Sequence, residues 1–202
     1  MSPRARQFTE SEIATTALDL IRENGWNALT ARSIAKRLGT STSPIYSVFV
    51  SMVEIETAVR IEAMDSMLRS MLTPRSDNPL LDLALGYVAY ARDEPLIFRF
   101  LYIDRPKEIS IAERNGLEGR GLTDRLRAMF EDPSDDPLDT YFGGQSVDAT
   151  DDIAFRAWIF THGLAMLLCS NMLPGADDAE LRRLLEGAGF AFHLLQQQKA
   201  TP

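Results

Sequence analysis

The segment from Thr30 to Phe49, TARSIAKRLGTSTSPIYSVF, contains the signals for two helices separated by a tight turn. Thr30 can cap the first helix, and Gly39 ends it because glycine tolerates the left-handed conformation needed there. Ser41 is predicted to cap a second, shorter helix. Pro44 fits its first turn, where no backbone N–H is owed to the helix. Ile45 and Phe49, four residues apart, can pin this short helix to its neighbours.

Two capping boxes flank this segment. Thr9 with Glu12 starts a helix that ends at Asn24-Gly25, and Ser51 with Glu54 starts a long helix that runs towards Leu72. The first of these helices carries an apolar stripe at helical spacing, and Trp26 after it is a candidate core residue.

The rest of the chain is also helical by pattern, with no sustained period-2 alternation, so the predicted fold class is all-α. The acidic, turn-rich stretch from Glu131 to Asp152 is predicted to be a loop. The expected helices are Pro79–Arg92, Pro95–Tyr102, one within Ile111–Phe130, Asp152–Met172 and Asp177–Gln198.

The composition is that of an ordinary globular protein, with 202 residues, 45% apolar and 25% charged. The one cysteine, Cys169, excludes an internal disulfide framework and favours a reducing compartment. The chain has no apolar run of membrane-spanning length. We therefore expect a cytoplasmic protein.

Charge is distributed unevenly along the chain. Residues 1–50 carry six basic and four acidic side chains, a net charge of +2. Because the whole chain has a net charge of −8, residues 51–202 carry a net charge of −10. A mildly basic end on an acidic body indicates that contact with nucleic acid, if any, is made by the N-terminal end.

A helix, a glycine turn and a short polar helix joined by an apolar cluster have the form of a helix-turn-helix. Its second helix carries small hydroxyls and a tyrosine, and its flanks carry Arg and Lys, groups that can contact phosphates and enter a major groove. A plain helical corner in a bundle is the alternative interpretation.

The same stretch resembles the N-terminal domain of TetR-family transcriptional repressors. The matching features are Gly25-Trp26, Leu29-Thr30, Ile34-Ala35, Leu38-Gly39, Ser41, Ile45-Tyr46, Phe49 and Ser51…Glu54. The resemblance implies that the protein is a repressor whose operator DNA is contacted by the following residues: Arg4, Arg6, Thr30, Arg32, Lys36, Ser41, Thr42, Ser43, Tyr46 and Ser47.

Two positions depart from that family pattern. Val48 and Met52 stand where the family often has His and Lys, and that Lys commonly contacts phosphate. The departure predicts that phosphate contacts shift to the Arg4/Arg6 arm, Thr30, Lys36 and Tyr46. Thr42, Ser43 and Ser47 occupy the base-facing positions, and none of them can make a bidentate contact to guanine or adenine.

A looser resemblance lies in RAWIFTHGLAMLL, since several TetR-like C-terminal domains carry a Trp…His-Gly signature matched by Trp158, His162 and Gly163. It implies a homodimer formed by the last two helices, with Gly163, Gly187 and Gly189 allowing close approach. It also implies a small-molecule pocket, for which the candidate residues are Met67, Phe98, Tyr102, Phe130, Trp158, His162 and Met166. A core His beside a core Trp is the alternative.

Three other patterns in the sequence do not indicate a metal, phosphate or catalytic site. The cluster Asp132, Asp135, Asp136 and Asp139 lacks the spacing and glycine of a calcium loop, which favours a solvated acidic loop. Asn115–Gly121, NGLEGRG, lacks the ending of a phosphate loop. Two histidines and one cysteine, far apart, form no zinc or nucleophile constellation. We expect no enzyme, no metal and no cofactor.

These observations predict a helix-turn-helix domain over 1–52, with its motif at about 31–50, and a ligand-binding and dimerisation domain over 53–202. The predicted function is a homodimeric repressor that binds double-stranded operator DNA and is released by a small apolar or amphipathic effector. The alternative is an all-α small-molecule carrier or enzyme whose N-terminal helices are only structural.

Overall fold

The computed structural model describes residues 7–106 and 147–199, and side chains in the second stretch from 156 to 192. Helices and turns make up these residues, without a strand among them, which confirms the all-α prediction. The α-helices are α1 Glu10–Asn24, α2 Ala31–Leu38, α3 Ser43–Tyr46, α4 Met52–Met71, α5 Pro79–Asp93, α6 Pro95–Arg99, α7 Val147–Cys169 and α8 Asp178–Lys199. A 3-10 turn, Trp26–Ala28, follows α1, and a π-helical turn, Phe100–Asp104, follows α6.

The predicted ends of α1 are confirmed. Thr9 accepts a hydrogen bond from the backbone N–H of Glu12, and the Glu12 carboxylate accepts one from the N–H of Thr9, which completes the capping box. Gly25, with φ of 76°, ends the helix in a conformation that L side chains rarely adopt.

The turn between α2 and α3 is a Schellman motif. Gly39 is left-handed, its N–H bonds to the carbonyl of Lys36, and the N–H of Thr40 bonds to the carbonyl of Ala35. The prediction that Ser41 caps α3 is wrong, because Thr42 precedes the helix without a side-chain cap. Thr42 already has helical φ and ψ, so the extended geometry of a capping residue is absent.

Three other predicted boundaries differ from the structure. The helix predicted as Pro95–Tyr102 keeps α-helical geometry to Arg99 and widens into the π-helical turn. Helix α7 begins at Val147, inside the stretch predicted to be a loop, and ends at Cys169, before the predicted Met172. The acidic residues of this stretch were interpreted as a sign of a loop, although acidic residues are also favourable in the first turn of a helix. The predictions for 107–146 lie outside the described residues.

The chain divides into two compact units, Met1–Arg69 with Tyr90–Lys107, and Ser70–Ala89 with Glu108–Pro202. We call them unit 1 and unit 2. The division falls within α4 and within α5. The predicted functional boundary after residue 52 stays a prediction.

Unit 1 packs α1–α3 against most of α4 and against α6. Its largest fully buried side chains come from each of these helices and from the π-helical turn: Ile13, Ile21, Ile34, Ile45, Ile55, Val59, Ile97, Phe98 and Phe100. Arg22 of α1 also donates two hydrogen bonds from its Nε, each 3.0 Å, to the carboxylate of Glu94 just before α6. The core of unit 1 therefore joins the predicted helix-turn-helix to α4 and α6.

In unit 2 the end of α4 crosses α5 at a glycine. A Cβ on Gly86 would overlap the carbonyl oxygen of Ser70 and the Cα of Met71, so the two helices meet backbone to backbone. The Ser70 hydroxyl donates a 2.9 Å hydrogen bond to the carbonyl of Gly86, and Arg75 donates to the carbonyl of Ser70. Only glycine allows this crossing.

Within the described residues, no helix has both the length and the apolar character that crossing a bilayer requires.

Gly86→Ala is predicted to lower the free energy of unfolding by about 3 kcal/mol or more, since a methyl group must displace helix backbone rather than a flexible side chain. Chemical denaturation followed by circular dichroism measures the loss.

The matched control is Ser70→Ala, which removes the hydroxyl bond at the same crossing without adding volume and should cost about 1 kcal/mol. A Gly86→Ala protein as stable as the wild type would contradict the close crossing.

Candidate nucleic-acid interface

The buried side of α3 fixes its position in unit 1. Ile45 is fully buried and Phe49 is 5% exposed, as the sequence predicted. Ile34 of α2 is also fully buried. Because an isolated helix of one turn is unstable in water, α3 depends on these apolar side chains for its conformation as well as its orientation.

The opposite side of α3 carries polar groups and is exposed. Ser43, Tyr46 and Ser47 are exposed and Thr42 is half-buried, with Tyr46 at 47%. The Ser47 hydroxyl donates a 2.7 Å hydrogen bond to the carbonyl of Pro44, so its oxygen is left to accept from a partner. The surface is that of hydroxyls and one phenol, small enough to approach a groove closely.

The three basic side chains of α2 differ in whether they form an ion pair with a carboxylate. Arg32 and Lys36 are exposed and, within the described part of the chain, neither is paired with a carboxylate. Arg37 is held by a bidentate pair with Glu23 of α1. That hydrogen bonding lowers the pKa of the Glu23 carboxyl and raises the pKa of Arg37. Arg32 and Lys36 are therefore the cations available to an external anion.

Four other residues are predicted to contact DNA: Thr30, Ser41, Arg4 and Arg6. Thr30 is exposed, but its hydroxyl already caps α2 by accepting from the N–H of Ser33, 3.1 Å away. Ser41 is exposed beside α3 and is free of the capping role predicted for it. Arg4 and Arg6 lie outside the described residues. The described candidates are thus gathered on α2, α3 and the turn between them.

A ring of arginines and aromatic side chains in unit 1, which we call the Arg–aromatic ring, was not predicted. Trp26 and Phe100 stack with centroids 5.2 Å apart and planes at 15°. Arg105 lies over the ring of Trp26 and Arg60 over that of Phe100, with guanidinium carbons 5.0 and 4.8 Å from the respective ring centroids. Glu56 closes the ring by accepting from Arg105 at 3.2 Å and pairing with Arg60 at 3.7 Å.

The ring connects elements that are distant in sequence. Trp26 belongs to the turn between α1 and α2, Glu56 and Arg60 to α4, and Phe100 to the π-helical turn. Arg60 also donates hydrogen bonds to the carbonyl of Leu101 in the π-helical turn and to the carbonyl of Arg105 just after it. Stacking and cation–π contacts each contribute about 0.5–1.5 kcal/mol, so the ring orients α2 and α3 relative to α4.

The candidate ligand residues of unit 1 are packed together. Phe98 is fully buried, Met67 is 4% exposed and Tyr102 is half-buried. The Tyr102 ring is 4.8 Å from that of Phe98, and its hydroxyl is 3.8 Å from the Met67 sulfur. Met67 and Phe98 are therefore core residues of unit 1, and Tyr102 contacts both. Phe130 lies outside the described residues.

The candidate ligand residues of unit 2 lie on α7. Trp158 is 38% exposed and stacks on His162 with centroids 5.2 Å apart and planes at 16°. Burial lowers the pKa of His162, and its Nδ1 is 2.9 Å from the hydroxyl of Tyr87 on α5. Met166, one turn further, is half-buried. Tyr87 was missed by sequence reasoning because no local spacing links it to α7.

A helix-turn-helix within an all-α fold, with exposed hydroxyls and basic side chains on its outer side, is typical of DNA-binding transcriptional regulators. Residues 13–59, about a quarter of the chain, match the sequence model of bacterial regulatory proteins of the tetR family. Over this region the chain is similar to tetR-family regulators.

A relative is consistent with the match. Over 96 residues the chain is 30% identical to a protein of Mycobacterium tuberculosis named as an HTH-type transcriptional regulator. The similarity covers 46% of this chain and spans 44% of that relative's length.

Ile45→Ala is predicted to lower the free energy of unfolding of the full chain by about 2–4 kcal/mol, since it removes a fully buried side chain that holds α3. Urea denaturation monitored by circular dichroism gives the value.

Val50→Ala, at a side chain that is 83% exposed a few residues away, is the matched control and should change stability by less than about 0.5 kcal/mol. Equal losses for the two variants would contradict the apolar anchoring of α3.

Proposed function

We propose that this protein is a ligand-responsive transcriptional repressor that binds operator DNA as a homodimer and is released by a small apolar or amphipathic molecule. The proposal rests above all on one observation: α3 is held by buried Ile45 and Phe49, while its hydroxyls and the cations of α2 face outward. Its place of action is the cytoplasm, where operator DNA is accessible.

In this proposal each side chain has a task set by its chemistry. Lys36, Arg32 and the Arg4/Arg6 arm neutralise phosphates, and Thr30, Ser41 and Tyr46 hydrogen-bond to them. Thr42, Ser43 and Ser47 meet base edges. A hydroxyl can donate or accept a hydrogen bond, so these three side chains distinguish A·T from G·C base pairs only weakly. In the proposal the cations therefore supply most of the affinity for DNA.

The homodimer is proposed to form through α7 and α8. Large apolar side chains on these helices are exposed in the described chain: Ile159 at 50%, Phe160 at 37%, Leu167 at 38% and Phe190 at 65%. A Cβ added at Gly163, Gly187 or Gly189 would meet open space, so these positions leave room for a partner helix. Exposed apolar surface beside small residues is typical of a helix–helix interface.

Release by an effector requires that its affinity differ between the DNA-binding conformation and another conformation. Helix α4 is the proposed connection, since it runs without interruption from Met52, next to α3, to Met71. A change in the separation of the two α3 helices of a dimer from the 34–36 Å repeat of the major groove, about one helical turn, would end simultaneous binding.

Lys36→Ala is predicted to weaken binding to the DNA upstream of the protein's own gene about five- to tenfold and to reduce the slope of log K against log salt by about 1. Fluorescence anisotropy across a salt series measures both.

Arg37→Ala is the matched control, because it removes the same charge from the adjacent position where Glu23 already holds the guanidinium. It should weaken binding less than Lys36→Ala. Binding that is independent of salt, or losses that are equal in the two variants, would contradict the proposed DNA surface.

Phe190→Glu is predicted to convert the dimer to a monomer, since it places a charge in the centre of the proposed apolar interface. Analytical ultracentrifugation over micromolar concentrations reports the mass.

Val53→Glu, at a 70% exposed position in unit 1, should leave the mass of the dimer unchanged. A wild-type monomer would contradict the paired-groove proposal and favour the alternative, an all-α carrier.

A further inference from the structure

A cavity of about 700 Å³ lies in unit 1, next to the Arg–aromatic ring. One wall is the side of α4 from Val53 to Ile61, and the other is the segment Asp104–Pro106, where the π-helical turn ends. Small-molecule sites usually have volumes of roughly 300–1,000 Å³, so the cavity has room for a ligand of ordinary size. None of the candidate DNA-binding or effector-binding residues in the described part of the chain lines it.

Arg105 is the accessible cation of this cavity. Its side chain is half-exposed, and its Nε and one terminal nitrogen, Nη2, donate to the Glu56 carboxylate at 3.2 Å. The other terminal nitrogen, Nη1, has no acceptor among the described residues. Arg60 differs, since its side chain is largely buried and both of its terminal nitrogens donate to backbone carbonyls. An anion in the cavity would therefore bind Nη1 of Arg105.

The charged side chains at the cavity leave one positive charge uncompensated. Arg60 and Arg105 share a single carboxylate, that of Glu56. Asp104 pairs with Arg99 at 3.3 Å, so it neutralises neither of them. These five described side chains carry three positive charges and two negative charges, a net charge of +1. A ligand with one negative charge balances them, whereas a phosphate monoester, with nearly two charges at pH 7, exceeds the balance.

The α4 wall of the cavity also carries exposed apolar side chains. Val53 is 70% exposed and Ile61 is 58% exposed. They are eight residues apart, which corresponds to about 12 Å along the helix axis. Thr57 lies between them, and its hydroxyl already donates a 2.9 Å hydrogen bond to the carbonyl of Val53. An apolar body lying along α4 would cover both side chains and gain the free energy of removing them from water.

We propose that this cavity binds an amphipathic monoanion, a carboxylic acid with an apolar body, as the effector. The carboxylate binds Nη1 of Arg105, because a guanidinium and a carboxylate form charge-assisted hydrogen bonds, and the apolar body lies along Val53 and Ile61. The proposal rests on the effector-responsive function given above and adds the position and the chemical class of the effector. It places the effector in unit 1 and not among the candidate residues of α7.

Arg105 also connects the cavity to the helix-turn-helix region. Its guanidinium carbon lies 5.0 Å from the ring centroid of Trp26, in the turn that precedes α2. In the proposal a carboxylate on Nη1 competes with Glu56 and Trp26 for the same guanidinium. Ligand binding therefore changes the contacts that orient α2 and α3, which gives the ligand different affinities for two conformations.

Isothermal titration calorimetry with the full-length protein compares three probes: octanoate, octanol, which lacks the charge, and acetate, which lacks the apolar body. Octanoate should bind at least about fivefold more tightly than either of the others. Arg105→Gln should weaken octanoate binding about fivefold and octanol binding less than twofold, because only octanoate loses a charge-assisted hydrogen bond. Arg69→Gln is the matched control, since it removes the same charge from an exposed arginine of α4 that does not line the cavity.

Two further measurements locate the bound probe. Ile61→Ala changes an exposed side chain, so it should leave stability unchanged and weaken octanoate binding about threefold. It tests the cavity even where Arg105→Gln disturbs the fold. The chain has two tryptophans, so Trp158→Phe assigns the two indole N–H resonances. Octanoate should shift the resonance of Trp26 and leave that of Trp158 in place.

Three results would overturn the cavity as a ligand site: octanoate binding no tighter than octanol or acetate, equal effects of Arg105→Gln and Arg69→Gln, or a shift of Trp158 alone. Fluorescence anisotropy with the DNA upstream of the protein's own gene tests the effector role. Saturating octanoate should weaken DNA binding about fivefold, and an unchanged affinity would overturn that role. If the protein binds no DNA while the octanoate results hold, the proposed function is wrong and the ligand site stands. If DNA binding holds while octanoate fails to bind, only the ligand site is wrong.

Discussion

The burial of Ile45 and Phe49 is the constraint on which the surface of unit 1 depends. Helix α3 has four residues and could not persist alone, so its conformation is a consequence of packing. The same packing decides which residues remain outside: with positions 45 and 49 buried, Ser43, Tyr46 and Ser47 face outward. The same apolar contact therefore holds α3 in place and exposes its polar side chains. A polar surface as small as this one needs a rigid support.

A second constraint acts at longer range. The Arg–aromatic ring and the Arg22–Glu94 pair both connect the helix-turn-helix region to α4 and to the segment around α6. Each contact is modest alone, but together they oppose rotation of the motif about α4. In unit 2 the backbone contact at Gly86 similarly limits how α5 can move against the end of α4. Contacts of this kind allow discrete alternative arrangements rather than gradual deformation.

Local signals explain what could be predicted from the sequence. The caps at Thr9 and Thr30 and the stops at Gly25 and Gly39 depend on neighbouring residues, and the structure confirms all four. The prediction that Ser41 caps α3 is wrong, because Thr42, just after the Schellman turn, already has helical φ and ψ. That conformation depends on how the turn is packed and not only on the neighbouring residue types. The Arg–aromatic ring and the Tyr87–His162 bond could not be predicted, since each joins residues 40 to 80 or so positions apart.

The two resemblances in the sequence differ in what they establish. The N-terminal one is supported by the tetR-family match, and its described candidate residues belong to α2, α3 and the positions next to these helices. The candidate ligand residues fall in separate units: Met67, Phe98 and Tyr102 belong to unit 1, and Trp158, His162 and Met166 belong to unit 2. Among those that the structure describes, Trp158 is the most exposed.

The most direct test of the account is to select tight-binding DNA from a random pool with the full-length protein and to footprint the selected sequence. Two protected half-sites on one face of the duplex, with centres about 34–36 Å apart or a multiple of that spacing, are predicted from a dimer that inserts two α3 helices in major grooves. A single protected site, or no enrichment over the starting pool at low salt, would contradict it.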